Sequence, residues 1–456
     1  MRAQSYLGKF STMKLPDTVI RYAQETLRDL VALPSVSAEH RALPETAQRV
    51  KELLEELGLR AEIHPTPGAP VVYAEGGEGG PTVLFYNHYD VQPADPLELW
   101  ESDPFAMTER DGHWYARGIS DDKGELTSRL AALKWLIDEH GSLPFRVKFV
   151  VEGEEEVGSP NLEAYVAQNR QRLQADAVIW EFGSVDTSGR PLVYCGLKGI
   201  VAVELRVRTA GYDLHSSLGA VVQNPIYRLS AALASLRDND GKVLIEGFYD
   251  RVRPLSEAEA KSLETIPDES GHLSELYGVK GFLGGAKGTE FYRRLAAEPV
   301  VNINGFHSGY GGPGSKTVLP AEAFAKLDFR LVPDQEPLEV VELLRRHLDR
   351  HGFDDVEVIT LEAGEHPARS DLGAPWAQQA VEALRETYGL EPVVHLSSGG
   401  SGPMYPFTHH LGAPVVSIGI SYPGSRVHSP NENIRIADFE RGVAAIKRAL
   451  EKFAGL

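Results

Sequence analysis

Apolar residues recur along this chain in two rhythms, one of helical spacing and one of short continuous runs, and the two alternate. Residues 20–33 and 43–58 carry the helical spacing, the first stopping before Pro34 and the second at Gly58. Strand-like runs follow at 60–64, 71–74, 82–86, 145–151 and 177–180, with helical stretches at 123–139 and 161–173. This alternation predicts an α/β sheet covered on both faces.

The pattern shifts near Gly196-Leu197-Lys198-Gly199. Beyond it the chain reads as a strand (201–209), a helix (225–236), strands at 300–305 and 323–332, a helix (337–351) and a strand (356–361). A long acidic, glycine-containing insertion occupies 237–299. Without that insertion the order is βαββαβ, the ferredoxin-like split unit, which is a complete α+β domain. From Ala374 the stretch WAQQAVEALRETYG and the apolar run 413–420 return to the earlier style. The expected architecture is a catalytic domain of mixed sheet flanked by helices, built from 1–196 and 369–456, with a second domain inserted at 197–368. No internal repeat is visible.

Length agrees with more than one domain, since 456 residues exceed what a single core usually spans. The net charge of −19 argues against nucleic acid or an anionic membrane as partner, and favours a protein whose acid clusters hold cations. Cys195 is the only cysteine, which excludes an intrachain disulfide and a thiolate metal cage; in VYCG it reads as a small buried side chain. There is no run of about 18 apolar residues and no signal-like apolar stretch at the N-terminus, so a cytoplasmic protein is expected. Met13 is an alternative start, which would make the first dozen residues a loose tail.

Five stretches concentrate polar chemistry, three of them at the ends of apolar runs. In TVLFYNHYDVQP (82–93) an apolar strand leads into His88 and Asp90, and residues i and i+2 share a strand face. A carboxylate beside an imidazole fixes its tautomer and suits a metal-bound histidine, although such a pair also arises readily by chance. YARGISDDKG (115–124) sets Asp121 and Asp122 between glycines ahead of a helix. One aspartate is enough to cap that helix, which leaves the other carboxylate free for a cation.

VEGEEEVGSP (151–160) crowds Glu152, Glu154, Glu155 and Glu156 at a strand end. Either water solvates them or a cation does, and α/β sheets bind ligands at the carboxyl ends of their strands. Adjacent residues point in different directions, so Glu155 and Glu156 can divide the work, one ligating a metal and the other reaching a water on it. Glu152 and Glu154 read as structural or solvated. Glu181 in VIWEFG (178–183) occupies a similar strand end, where an unpaired buried acid would be costly. His428 lies in the polar loop RVHSPNENI (426–434) and alone decides nothing.

Two motifs are set aside. GGPGSKT (311–317) has Ser315 where a phosphate loop needs glycine and runs into VLP rather than a helix; GGSGP (399–403) has Pro403 in place of the last glycine of a nucleophile elbow around Ser401. Both read as glycine-rich binding loops.

In this order and at these separations, the stretches from LPSVS (33–37) to RVHSPNENI resemble the dinuclear metallopeptidase family of carnosine dipeptidase, aminoacylase, acetylornithine deacetylase and glutamate carboxypeptidase. The long insertion, SKTVLP (315–320) and DFRLVP (328–333) resemble the carnosine dipeptidase-like branch, whereas Glu181 stands where dipeptidase members generally carry Asp and deacylase or carboxypeptidase members often carry Glu.

The resemblance implies a zinc-peptidase-like catalytic domain with an inserted lid and dimerisation domain. It implies two divalent ions per subunit, Zn first, with Mn or Co also suiting the ligands. His88 matches a ligand of one ion, Asp121 the bridging carboxylate, Glu156 and His428 ligands of the other, and Glu181 completes the set of five; Glu155 matches the general base and Asp90 the residue that clamps His88. The peptide after the bridging aspartate, Asp121-Asp122, is expected to be cis. His215 in DLHSS (213–217) matches a lid histidine that reaches the active site of the partner subunit in a homodimer, and Lys316, Thr317, Arg330 and Ser401 match positions that hold the substrate carboxylate.

The activity implied is hydrolysis of a dipeptide's amide bond by water, with Glu155 moving the proton. An N-acyl or N-carbamoyl amino acid amidohydrolase on the same site is the alternative. A non-catalytic binding protein would be expected to have lost ligands or base, and a serine hydrolase using Ser401 would survive a chelator.

Overall fold

The computed structural model describes residues 14–361 and 364–456, so the tail before Met13 lies outside the described residues. They form two compact units, one of the described residues up to Gly196 with Ser370–Leu396 and Pro403–Leu456, the other of Leu197–Arg369 with Ser397–Gly402. The glycine-rich loop Ser397–Gly402, assigned from sequence to the C-terminal part of the catalytic domain, thus groups with the second unit.

The first unit is built on a six-stranded sheet in the order Arg60–His64, Val71–Gly76, Arg146–Glu152, Thr82–His88, Ala177–Trp180, Val415–Ser417. The first two junctions are antiparallel and the other three parallel. Thr82–His88 is buried at every position, which is why it reads as a continuous apolar run rather than an alternating one. Helix Lys123–His140 packs on that strand and on helices Asp17–Val31 and Ile436–Ala454.

Lys123–His140 carries an unusual buried guanidinium. Arg129 pairs with Glu125 one turn back and donates to the carbonyls of Trp180 (2.9 Å), Glu181 (2.8 Å) and Ile418 (2.8 Å). It thereby ties down the strand end from which Glu181 projects.

The helix expected over 161–173 is broken into Leu162–Gln168 and Arg170–Leu173. Asn169 sits at the break with φ −101° and ψ 16°, and its side-chain amide donates to the Tyr165 carbonyl at 2.9 Å, the local competition by which Asn weakens helices.

The second unit holds a four-stranded antiparallel sheet in the order Val300–Ser308, Glu322–Leu331, Gly199–Arg208, Glu357–Thr360, with helices Pro225–Ser235 and Pro337–Arg350 packed on its central strands. This is the strand order of the ferredoxin-like split unit. The 237–299 insertion forms three helices, Glu257–Thr265, Ser270–Leu276 and Gly288–Ala297. The first opens on a reciprocal capping box between Ser256 and Glu259, a start signal present in the sequence as SEAE.

Candidate metal centre and active site

The parallel strands of the first unit end on one cluster of acids and imidazoles. Thr82–His88 delivers His88, Arg146–Glu152 leads into the turn Glu155–Val157, and Ala177–Trp180 leads into Glu181. Asp121 enters from the loop before Lys123–His140, and His428 from the loop before Asn433–Arg435.

Asp90 organises two sides of the cluster. Its Oδ1 lies 3.2 Å from His88 Nδ1, turning Nε2 towards Asp121 Oδ1 at 3.1 Å. Its carboxylate also accepts the backbone amides of Glu155 (3.3 Å) and Glu156 (3.1 Å). That anchor splays the two neighbouring glutamates. Glu156 Oε2 meets His428 Nε2 at 3.1 Å and Gln92 Nε2 at 3.0 Å, whereas Glu155 Oε2 stays 3.9 Å from His88 Nε2.

Asp121 joins the imidazoles, with Oδ1 on His88 and Oδ2 on His428 Nε2 at 3.0 Å. The Asp121-Asp122 peptide is cis. Asp122 does not cap the helix it precedes; its Oδ2 accepts the Asn87 side-chain amide (2.8 Å) and the His88 backbone amide (2.9 Å). His428 itself has a positive φ of 59°, costly for a residue with a Cβ, in a loop where Arg426 and Asn431 also have positive φ.

Electrostatics inside the cluster are unbalanced. Burial, together with the charges of Asp121 and Glu156, pushes the Glu155 carboxyl well above the carboxylate range; burial and the charge of Glu155 do the same to Glu181. Hydrogen bonds to Asp121 and Glu156 raise His428 to about 10. Burial would raise Asp121 too, but its bonds from His428 and His88 hold it below the usual range.

Two carboxylate oxygens, Glu156 Oε1 and Glu181 Oε2, are buried with no hydrogen-bond partner. An orphaned buried anion costs several kcal/mol, so the donor set fits divalent cations. Two trios each offer ligand atoms within 4.8 Å of one another: His88, Asp121 and Glu156, and His88, Asp122 and Glu181.

The other acids of VEGEEEVGSP have ordinary duties. Glu152 accepts the hydroxyls of Tyr86 (2.7 Å) and Ser159 (2.8 Å), and Glu154 accepts the Asn161 amide at 2.6 Å.

Sequence reasoning passed over Glu432, and this residue is central. It is fully buried; Oε1 accepts the amides of Ser120 (2.9 Å) and Asp121 (3.0 Å), and Oε2 accepts that of Gly118 (3.0 Å) and the Arg117 guanidinium (2.7 Å). It joins the loop of Asp121 to the loop of His428. The visible signal was its place four residues after His428 in a polar loop that then turns apolar. Gln92, whose amide donates to Glu156, lies four residues beyond His88 in the same stretch.

The remaining candidates lie in the second unit, in two groups. His215 pairs with Val318 across a short antiparallel bridge, Thr317 O accepts the Ser216 amide at 3.2 Å, and His215 Nδ1 lies 2.8 Å from Ser217 Oγ. Lys316 and Val318 line a hollow with Ser308, which pairs with Ala323 at the start of the strand Glu322–Leu331. Arg330 stands seven residues further along, where Nη1 donates to Ser401 Oγ at 2.9 Å and Nε to Asp328 Oδ2 at 3.1 Å. At ~3.3 Å per residue that strand separates the groups by roughly 20 Å, so Lys316 and Thr317 do not converge with Arg330 and Ser401 within one chain.

The model of peptidase family M20/M25/M40 matches residues 84–452. The chain is 29% identical to the human Beta-Ala-His dipeptidase over 448 residues, covering 92% of this chain and 87% of that protein. Its structure is similar to that of an M20 family metallo-carboxypeptidase from Sulfolobus solfataricus, with a TM-score of 0.87, 41% identity, and 95% and 99% of the two chains covered. It is also similar to the di-peptidase Dug1p from Saccharomyces cerevisiae, with a TM-score of 0.79, 26% identity, and 96% and 97% covered.

Proposed function

Because this chain belongs to peptidase family M20/M25/M40, a family of metal-dependent hydrolases, we propose that it hydrolyses the amide bond of dipeptides at the cluster around Asp121. The observation that carries this reading is the pair of orphaned buried carboxylate oxygens on Glu156 and Glu181, set among His88, Asp121 and His428. Relatives named Beta-Ala-His dipeptidase and di-peptidase Dug1p support the substrate class.

His88, Asp121, Glu156, Glu181 and His428 would hold two divalent ions per subunit, Zn first, with Mn or Co compatible with the same donors. Such ions supply polarisation of the scissile carbonyl and lower the pKa of an attacking water towards about 7. Glu155 has no hydrogen-bonded cation of its own and keeps a free carboxylate beside His88. It removes the proton of the attacking water and returns it to the leaving amine. Asp90 keeps His88 in the tautomer that presents Nε2.

Arg330 and Ser401 bind the substrate's terminal carboxylate, a role suited to a planar guanidinium already steadied by Asp328. His215, with Thr317 and Lys316 beside it, donates to the developing oxyanion and contacts the substrate from a second protomer. The roughly 20 Å between the groups supports a homodimer, since a dipeptide spans only about 7 Å. The strand Val300–Ser308, an open edge exposing Ile303 and Phe306, is a surface through which two copies can pair.

No helix among the described residues is long and apolar enough to cross a membrane. A cytoplasmic location fits the lone, buried Cys195.

A second reading is favoured by Glu181 and by the 41% identity to a metallo-carboxypeptidase: removal of the C-terminal residue from longer peptides. The amidohydrolase reading draws on the same glutamate. A panel of dipeptides, tripeptides, N-acetyl and N-carbamoyl amino acids, assayed on metal-loaded enzyme with product identification, separates the three. The dipeptidase reading requires free dipeptides to be the best substrates.

A further inference from the structure

The helical insertion borders an open cavity of about 670 Å³ that none of the assigned roles uses. Its wall is formed by Tyr249, Phe282, Leu283, Phe291, Leu295 and Val300, with the rings of Phe282 and Phe291 4.6 Å apart. Most charges at its edge are engaged by the protein itself, and those of Asp240 and Lys242 stand exposed at the rim. Lys198 Nζ donates to the Glu298 carbonyl at 2.6 Å, Arg294 Nε donates to Glu290 at 2.8 Å, and Asp238 accepts the amides of Asp240 and Lys242. What remains is an apolar hollow of the size that holds small molecules.

Three contacts tie this hollow to Arg330 and to the loop that carries Ser401. Val300, one of its walls, is the cross-strand partner of Arg330, so the two side chains leave the sheet on the same face with Cβ atoms about 5 Å apart. The loop that carries Ser401 borders it as well. Lys198 donates its backbone amide to the Gly400 carbonyl at 3.0 Å, and a Cβ on Gly399 would stand 3.2 Å from Leu295 Cδ1. A residue whose carboxylate reached Arg330 would therefore have this cavity beside its Cα.

We propose that the cavity is the specificity pocket for the substrate's C-terminal residue and takes a large apolar side chain, aromatic or branched aliphatic. The inference rests on Arg330 as the carboxylate site and holds for a dipeptidase and for a carboxypeptidase alike. It gives the 237–299 insertion a second duty, selection of substrate. Apolar walls, with the charges of Asp240 and Lys242 held out at the exposed rim, disfavour Asp or Glu at that position, because a carboxylate buried against those walls would lack a partner. Glycine leaves the hollow unfilled.

The test is kcat/KM for Ala-Phe, Ala-Leu, Ala-Gly and Ala-Asp with the metal-loaded wild type and with Leu295→Trp. Leu295 is 45% exposed, so a larger side chain there can narrow the pocket without disturbing a core. Leu283→Asp, at a position 46% exposed, is the second variant, placing a charge in the wall. The wild type is expected to favour Ala-Phe and Ala-Leu over Ala-Gly by about tenfold or more. Either variant should cut the Ala-Phe to Ala-Gly ratio at least about fivefold. Equal efficiency on all four peptides, or a ratio unchanged in both variants, overturns the pocket and leaves the peptidase reading standing. No hydrolysis of any of the four overturns the peptidase reading, and the pocket with it.

Discussion

Glu432 Oε1 accepts the backbone amide of Asp121 at 3.0 Å, across 311 positions of sequence. The same carboxylate accepts the amides of Gly118 and Ser120 and the buried Arg117 guanidinium, so it shapes the loop from which Asp121 reaches both His88 and His428. Glu432→Gln removes the charge opposite Arg117 and replaces an acceptor oxygen by a donor facing other donors. Stability of the metal-free protein should fall by about 3 kcal/mol, and metal affinity by about 10- to 100-fold in a chelator competition. Unchanged affinity would show that Asp121 does not depend on this anchor.

Metal should stabilise the fold. The cluster packs the carboxylates of Asp90, Asp121, Asp122, Glu155, Glu156 and Glu181 around two imidazoles, with two oxygens unpartnered, and an ion that binds only the native state adds RT ln(1 + [L]/Kd). Stripped protein given Zn or Mn at a hundred times Kd should gain about 2.7 kcal/mol in denaturant unfolding. No shift with any divalent ion would contradict the ligand assignment.

The proposed sharing of active sites between protomers predicts complementation. Glu155→Gln disables one side of the site and His215→Asn the other, so each variant alone should be nearly inactive. Co-refolded or co-expressed together, they should recover about a quarter of wild-type activity, because about half of random dimers would hold one intact site. No recovery, with mixed dimers verified by tag capture, would place His215 outside the partner's site.

Cys195 should be inert in the native protein. It is buried, and desolvation pushes its thiol up to about 12, so the thiolate that reacts with disulfide reagents is scarce below that pH. At pH 8 a thiol reagent should label the folded chain very slowly and the chain in denaturant at once, giving one equivalent. Rapid native labelling would mean that the segment around Cys195 opens readily.

The sequence made the strand ends legible because chemistry and pattern coincide there: apolar runs stop at His88, Glu152 and Glu181, and parallel strands bring such ends together. The division of labour in VEGEEEVGSP was legible in part, since adjacent glutamates had to diverge; that Asp90 causes the divergence was not, because it bonds backbone amides 65 and 66 positions away. Glu432 was hidden for the same reason, as its partners are four distant groups and three of them are backbone amides. The insertion reads as acidic and glycine-containing, and its α-helices are short and bury only one or two residues each, so they do not stand out from the glycine-containing loops between them. Lys316 and Arg330 looked like one binding set because sequence distance does not register the extended strand between them.

Turnover of Glu155→Gln with its metal in place is the most direct test of the central claim. Glutamine preserves shape and the backbone bond to Asp90 but cannot accept and return a proton. Metal content should match the wild type, and kcat on the best dipeptide should fall by about 10²- to 10⁴-fold. Near-normal kcat with full metal content would contradict the assignment of Glu155 as the base, and with it the mechanism proposed for this site.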